Sequence, residues 1–298
     1  MKNDKENILI TKASGLKAPF NKGKLKQSLL RSGASSEKAD EVVEEVMTIL
    51  VEGMSTKKIY NMAFQLLRNV SRPMAARYKL KQAIIELGPT GFPFEQFIGE
   101  LLEHKGYQVK VGQIVQGHCV SHEIDVIAEK GEQHFMIECK FHIHKGTTSD
   151  VKIPLYIQSR FLDVEKQWKL IDGHAEKFHQ GWVVTNTRFS SDAMQYATCM
   201  GLHLVGWDYP YNDGLRDWID GSGLHPITSL TTLTLAEKQQ LLNKRIVLCK
   251  TLRNNYSLLE SIGVRPPRLQ KVMDECEALC ESYYRNNHGA EMHIKESS

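Results

Sequence analysis

Over the first 88 residues the hydrophobic positions recur every third or fourth residue, and from about 107 to 141 they alternate with polar ones. The first period belongs to helices with one buried face, the second to strands with one buried side. Ile8, Leu9 and Ile10 form a short apolar strand before a turn at Gly15, and four helices are predicted after it. Leu25, Leu29 and Leu30 mark the first, which Gly33 closes. Ala39, Val42, Val43, Val46, Met47 and Leu50 mark the second, between Ser36 and Gly53. Ser55 or Thr56 caps the third, which carries Ile59, Met62, Ala63, Leu66 and Leu67. The fourth runs from about Met74 to Leu87 and stops at Gly88-Pro89, a natural boundary.

Beyond that boundary helices and strands alternate. A helix carrying Phe94, Phe97, Ile98, Leu101 and Leu102 ends at Gly106, and Tyr107, Val109 and Val111 begin a strand. Strands over 122–128 and 134–141 flank Glu129-Lys130-Gly131-Glu132 and read as a hairpin. A helix over 150–169, a strand at 182–185, a helix over 190–200 and a strand at 202–206 complete a mixed unit of three layers. Residues 215–298 are helical in pattern, broken at Gly221-Ser222-Gly223, Gly263 and Pro266-Pro267, with a polar, frayed end. The expected division is 1–88, 89–214 and 215–298.

Composition excludes several classes. The chain has 298 residues, 41% of them hydrophobic and 24% charged, too apolar for wholesale disorder. No stretch approaches the roughly 18 uninterrupted apolar residues of a membrane span, and the first ten residues are too polar for a secretory signal. Six cysteines lie scattered with no Cys-x-x-Cys pair, which fits a reduced, cytoplasmic protein. The net charge of +3 divides into +7 over 1–90, −6 over 91–220 and +2 over 221–298. An acidic segment between basic ones suits a metal site flanked by polyanion-binding surfaces, although charge blocks are usually no more than solvated surface.

The hairpin carries the chemistry. Strict alternation puts Glu123 and Asp125 on one side of their strand, with Ile124 and Val126 on the other. Met136, Glu138 and Lys140 share a side of the partner strand. A turn near Lys130 to Gln133 sets Asp125 near Glu138, so two carboxylates and an ammonium converge. Carboxylates this close repel, and a hard divalent ion such as Mg²⁺ relieves the repulsion through two carboxylates, a backbone carbonyl and water. The carbonyl of Cys139 would be the backbone ligand, and Lys140 would orient or deprotonate a water beside the metal. The Glu-x-Lys spacing alone carries nothing, since Glu103-His104-Lys105 repeats it on a helix. An exposed hairpin face with a salt bridge is the plain alternative. Glu95 would point into the same site or face solvent. His142 and His144 would touch metal or phosphate or simply lie in a loop.

Taken together, Phe94-Glu95, Gly106-Tyr107, Glu123-Ile124-Asp125 and Glu138-Cys139-Lys140 resemble the PD-(D/E)xK restriction-endonuclease fold, nearest its Mrr-like branch. The stretch from Gly181-Trp182 through Asn186-Thr187-Arg188 to Gly201-Leu202-His203 and Trp207-Asp208 resembles that branch's closing strand–helix–strand unit. The resemblance implies that Asp125 and Glu138 hold Mg²⁺ or Mn²⁺ and that Lys140 assists catalysis. It further implies that Glu95 contributes and that Gln158, on the following helix, supports the site. Arg160, in Tyr156-Ile157-Gln158-Ser159-Arg160, would contact the DNA backbone or be ordinary helix surface.

Ile10-Thr11-Lys12, Pro19-Phe20-Asn21 and Lys24-Leu25, with Ala75-Ala76-Arg77-Tyr78, resemble an ATP-cone, a nucleotide-sensing module. That likeness implies a regulatory ATP or dATP site at Lys12, Asn21, Lys24 and Thr56, with Ile10 against the base. The C-terminal part is faintly similar to a helix-hairpin-helix, where Arg245, Lys250, Arg253, Arg265 and Arg268 would meet DNA phosphates. A helical packing or dimerisation unit is the alternative.

The expected architecture is therefore a multi-domain α/β chain: a mainly helical ATP-cone, a restriction-endonuclease-like core and a helical C-terminal domain. The expected function is metal-dependent hydrolysis of DNA phosphodiesters, regulated by nucleotide, with homo-oligomers forming through the cone or the C-terminal helices. The alternatives are a nucleotide-responsive DNA-binding regulator with an inert core and a nuclease specific for RNA or DNA junctions.

Overall fold

A computed structural model describes residues 8–12, 14–144 and 146–280. The C-terminal end expected to fray lies outside the described residues. The chain opens with β1 (Leu9–Thr11) paired antiparallel to β2 (Lys17–Pro19). Three helices follow, α1 (Lys22–Arg31), α2 (Ser36–Ile49) and α3 (Thr56–Val70). Each starts where a side-chain oxygen (Asn21, Ser35, Ser55) accepts a backbone N–H of its first turn. Ser55, not Thr56, is thus the cap of the third. Leu25, Leu29, Val42, Val46, Ile59, Ala63, Leu67 and Ala75 close a first core between them.

The single helix expected over 74–87 is two, α4 (Arg72–Tyr78) and α5 (Leu80–Ile85), meeting at Lys79. The break redirects the chain from one core to another. Ala75 packs in the first core, whereas Ala76, Leu80, Ile84 and Leu87 pack in a second with the rest of the molecule. Hydrophobic packing therefore does not divide at residue 88.

The remaining elements are α6 (Phe92–His104), β3 (Gln108–Gln116), β4 (Ser121–Lys130), β5 (Gln133–Lys140), β6 (Thr148–Ser149), α7 (Lys152–Trp168), β7 (Phe178–Thr185), β8 (Arg188–Phe189), α8 (Ser191–Met200) and β9 (His203–Val205). One five-stranded sheet has the order β3-β4-β5-β7-β9, antiparallel through β5 and parallel beyond it. Helix α6 covers one face through Phe94, Phe97, Ile98, Leu101 and Leu102. Gly99 lets it lie close on β3, since a Cβ there would come within 2.9 Å of Val111 Cγ2. Helices α7 and α8 cover the other face through Ile157, Phe161, Val164, Ala193 and Ala197. Burying a side chain of this kind contributes about 1.5–3 kcal/mol.

Alternation breaks at one place, and there the sequence reading needs correction. Val109, Val111, Val126 and Ala128 pack on the α6 side, while Val115 and Ile124, of the same parity, pack on the α7 side. The exchange falls between the pairs Val111–Val126 and Gln113–Ile124, where Gly112 has φ +63° and stands opposite Asp125. Ile124 and Val126 therefore do not share a face as strict period two requires. A positive φ turns the pleat over, and glycine reaches it without strain.

The C-terminal part, α9 (Leu215–Ser222), a 3₁₀ turn (Ile227–Ser229), α10 (Leu235–Asn243), α11 (Cys249–Asn254), α12 (Ser257–Glu260) and a helix through 268–280, joins the α6-side core without a gap. Thr228 Oγ1 donates to Ala83 O at 2.7 Å, and Lys238, almost fully buried, donates to Thr228 O at 2.8 Å with Glu86 3.6 Å away. Buried Glu275 accepts four hydrogen bonds from the backbones and hydroxyls of Thr231 and Thr232. Of the basic residues expected to meet DNA, Arg268 is held within the fold by Glu237 and Thr232 O. Arg265 donates to Glu260 O, and Arg245 lies over the Phe92 ring. Arg245 and Arg265 are nonetheless exposed. Among the described residues no helix is long and apolar enough to cross a membrane.

Candidate active site

The β4–β5 ladder runs from Val126–Ile137 to Lys130–Gln133 around the two-residue turn Gly131-Glu132. Where the ladder ends, Asp125 substitutes its side chain for the next backbone partner: Oδ2 accepts the Cys139 N–H at 2.7 Å. Asp125 thereby stands beside Glu138 on the neighbouring strand. Glu95 enters from the first turn of α6. Glu95, Asp125, Glu138, Cys139, Lys140, His142 and His144 line one cavity of about 560 Å³.

The carboxylates affect one another's titration. Burial, and then Asp125, Glu123 and Glu138, push the Glu95 carboxyl up to about 7. Burial and Glu138 push Asp125 up to about 6, against the opposing effects of the Cys139 N–H and Arg160. The Cys139 thiol, turned into the α6-side core, is raised by burial and the same carboxylates, which leaves only its backbone facing the site. Glu123 thus belongs to the acidic group despite the change of face along β4.

A cation already adjoins this group. Arg160 on α7 donates from Nη1 to Glu138 Oε2 at 2.7 Å and from Nη2 to the Glu123 carbonyl, and its side chain is only 12% exposed. The sequence offered Arg160 as either a phosphate contact or plain surface; the rotation of α7 pairs it with Glu138 instead of leaving it on the surface. Gln158, two residues earlier, is buried with its Oε1 unpartnered and does not line the cavity.

The far wall is tethered. Thr185 Oγ1 donates to Lys140 O at 2.7 Å, and Asn186 exchanges two hydrogen bonds with the backbone of His142. The His142 ring lies 3.0 Å from Ser149 Oγ. These polar groups, from β6 and from the end of β7 and the residue after it, fix the segment that carries Lys140 and His142.

Oxygen donors suit a hard divalent cation, and mutual repulsion among carboxylates favours one. Among the described residues no three His, Cys, Asp or Glu side chains are gathered as a ready ligand set. Two neighbouring carboxylates, Asp125 and Glu138, are oxygen donors of the type a hard cation takes, with water completing its shell.

The other candidate residues lie at the opposite end of the chain. Thr11 bridges Ser55 and donates its N–H to Met54 O at 3.0 Å, which brings Ile10 and Lys12 beside Thr56 at the start of α3. Asn21 Oδ1 accepts the Lys24 N–H at 2.8 Å and so caps α1, while Lys12 and Lys24 are exposed.

Comparison with known proteins identifies two regions. A restriction-endonuclease family matches residues 89–208, and an "AF1548-like, C-terminal" family matches 225–280. An uncharacterized protein of Archaeoglobus fulgidus is 36% identical over 181 residues, which cover 60% of this chain and 98% of that protein. The crystal structure of AF1548, a protein of unknown function, superposes with a TM-score of 0.54 at 34% identity and covers 65% of this chain and 100% of its own.

Proposed function

The chain belongs to the AF1548-like family and carries a restriction-endonuclease domain, and from this we propose that it is a divalent-metal-dependent endonuclease that hydrolyses DNA phosphodiesters. The observation that carries the reading is the convergence of Glu95, Asp125, Glu138 and Lys140 on one cavity. Asp125, Glu138 and the Cys139 carbonyl are the residues that would hold Mg²⁺ or Mn²⁺. The ion would supply charge at the phosphate and lower the pKa of a bound water. Lys140 stabilises the attacking oxygen or the charge that develops on the phosphate. Glu95, on the wall of the same cavity, would accept the proton the water releases. A P–O bond to the water oxygen forms, the P–O bond to one sugar breaks, and the departing oxygen takes a proton.

Regulation by ATP or dATP is part of the proposal, with Ile10, Lys12, Asn21, Lys24 and Thr56 as its site. It rests on the sequence resemblance and on the meeting of β1 with the start of α3. A supercoiled-plasmid nicking assay with Mg²⁺ tests both parts. The wild type should cut, Asp125→Ala and Lys140→Ala should lose at least about 10³-fold, some 4 kcal/mol of transition-state stabilisation. ATP should change the rate of the wild type and not of Lys24→Ala. DNA binding without cutting in every case would favour the inert regulator instead.

A further inference from the structure

A second polar cavity, of about 240 Å³, lies where the N-terminal helices meet the rest of the molecule. Ser28, Arg31 and Ser32 enter from the end of α1, Tyr60 from α3, and Arg77 and Tyr78 from α4. Lys81 comes from α5, Trp207 from the segment after β9, and Arg216 and Asp220 from α9. Four cationic side chains thus face one carboxylate across a cleft that joins two hydrophobic cores.

Among its lining residues the cleft sets one carboxylate, Asp220, against Arg31, Arg77, Lys81 and Arg216. Arg77 donates to Ser32 O at 3.3 Å, yet its buried Nε has no partner. Arg216 pairs at 3.2 Å with Asp208 and at 3.8 Å with Asp217, neither of them part of the cleft wall. Arg31 is exposed at the end of α1. Asp220 feels Arg216, Arg77 and Arg31, but burial outweighs all three and pushes its carboxyl up to about 6. At neutral pH it is still mostly ionised, a single negative charge on the cleft wall against four cations. Like charges gathered in a partly desolvated cleft repel, and an anion between them reverses the sign of that energy. Guanidinium groups match phosphate oxygens in pairs of hydrogen bonds.

We propose that this cleft binds a small phosphate anion, pyrophosphate or the phosphate tail of a nucleotide, through Arg31, Arg77, Lys81 and Arg216. Size limits the ligand. The volume equals that of about eight waters and lies below the roughly 300–1,000 Å³ that encloses a drug-sized molecule. The charged end fits, and a nucleoside would remain outside. The stacked rings of Tyr60 and Tyr78, 4.9 Å apart, and Trp207 with Lys81 over it form the less polar wall. The site is separate from Asn21 and Lys24, which occupy the other end of α1, and it does not depend on nuclease activity. Because its walls come from both sides of the junction, a bound anion ties the N-terminal helices to the core.

Calorimetric titration of the full chain in EDTA, with pyrophosphate, orthophosphate and ATP in turn, tests the assignment. Pyrophosphate should bind the wild type. Arg31→Gln should weaken binding about 10-fold, and Asp220→Asn should tighten it several-fold, a gain that damage to the fold does not produce. Lys24→Ala and Asp125→Asn should bind pyrophosphate as the wild type does. ATP binding weakened by Arg31→Gln identifies the ligand as a nucleotide tail, whereas pyrophosphate binding with no ATP binding identifies it as the free anion. No heat at millimolar pyrophosphate, equal affinity in all variants, or binding lost only in Lys24→Ala would overturn the assignment.

Discussion

His134 and Glu138 stand four positions apart on β5 and share parity with Met136, which packs under α7. Around Glu138 the neighbours are carboxylates, and Arg160 meets only part of their charge. Around His134 the neighbours are Glu129 and His179, its register partners on β4 and β7, then His174 and the ring of Trp168 stacked at 3.9 Å. Glu129 is paired with Lys177. Burial lowers His134 to about 4, and it lowers His179 as well, so both disfavour the charged form. One end of the strand leaves like charges facing each other, an arrangement suited to a cation. The other pairs its one carboxylate with Lys177 and disfavours charge on His134 and His179, an arrangement suited to packing. Both ends bury titratable groups, so burial alone does not mark a reactive site; unresolved charge does.

The largest expected difference is structural. Trp168 is 4% exposed and covers His134. Trp168→Ala should cost about 3–5 kcal/mol of stability, read by denaturant unfolding, while the nicking rate per folded molecule stays unchanged. A comparable loss of cutting by the folded fraction would show that the two ends are not independent.

A smaller effect separates the ends by pH. The unfolded His134 titrates near 6.5 and the folded one near 4, so folding is fully favoured above 6.5 and loses stability as the pH falls toward 4. By pH 5 the loss from this residue is about 2 kcal/mol. Glu95 and Asp125 act in the opposite sense. Their folded values, about 7 and about 6, lie above the ordinary 4.5 and 3.8, so protonation on acidification relieves repulsion and adds stability. Melting in EDTA at pH 7 and pH 5 measures the sum. In His134→Phe, which keeps a ring against Trp168, the acid loss should disappear and the carboxylate gain should show. An unchanged profile would mean that His134 is not the group responsible.

Much of this contrast was legible in the chain. Apolar alternation defined β4 and β5, and the turn signal at Gly131 fixed the register that brings Asp125 to Glu138. Other parts were not. The exchange of faces depends on the backbone conformation of Gly112, which looks like any glycine in the sequence. Arg160 reaches Glu138 from 22 positions away, a contact set by the rotation of α7 against the sheet. The histidine cluster gathers residues from β5, β7 and the intervening loop, so it has no local spacing to detect. Strands β6 and β8, two residues each, are shorter than any period. The C-terminal arginines carry the charge expected of DNA contacts, but the carboxylate of Glu237 claims Arg268 only after folding.

The smallest effect bears most directly on the carboxylate end. In EDTA at pH 7.5, Asp125→Asn removes one of several facing negative charges and keeps an oxygen that can accept the Cys139 N–H. The variant should therefore be more stable than the wild type, by about 1 kcal/mol, or roughly 2–4 °C in melting temperature. At pH 5 the gain should shrink, because the raised carboxyl of Asp125 is then largely protonated without substitution. Mn²⁺ should reverse the order, stabilising the wild type and not the variant, since binding to the folded state alone raises stability by mass action. A wild type more stable than Asp125→Asn even in EDTA would mean that Arg160 and the Cys139 N–H already balance the carboxylates, and the contrast between the two ends of β5 would then lie in chemistry alone and not in stored repulsion.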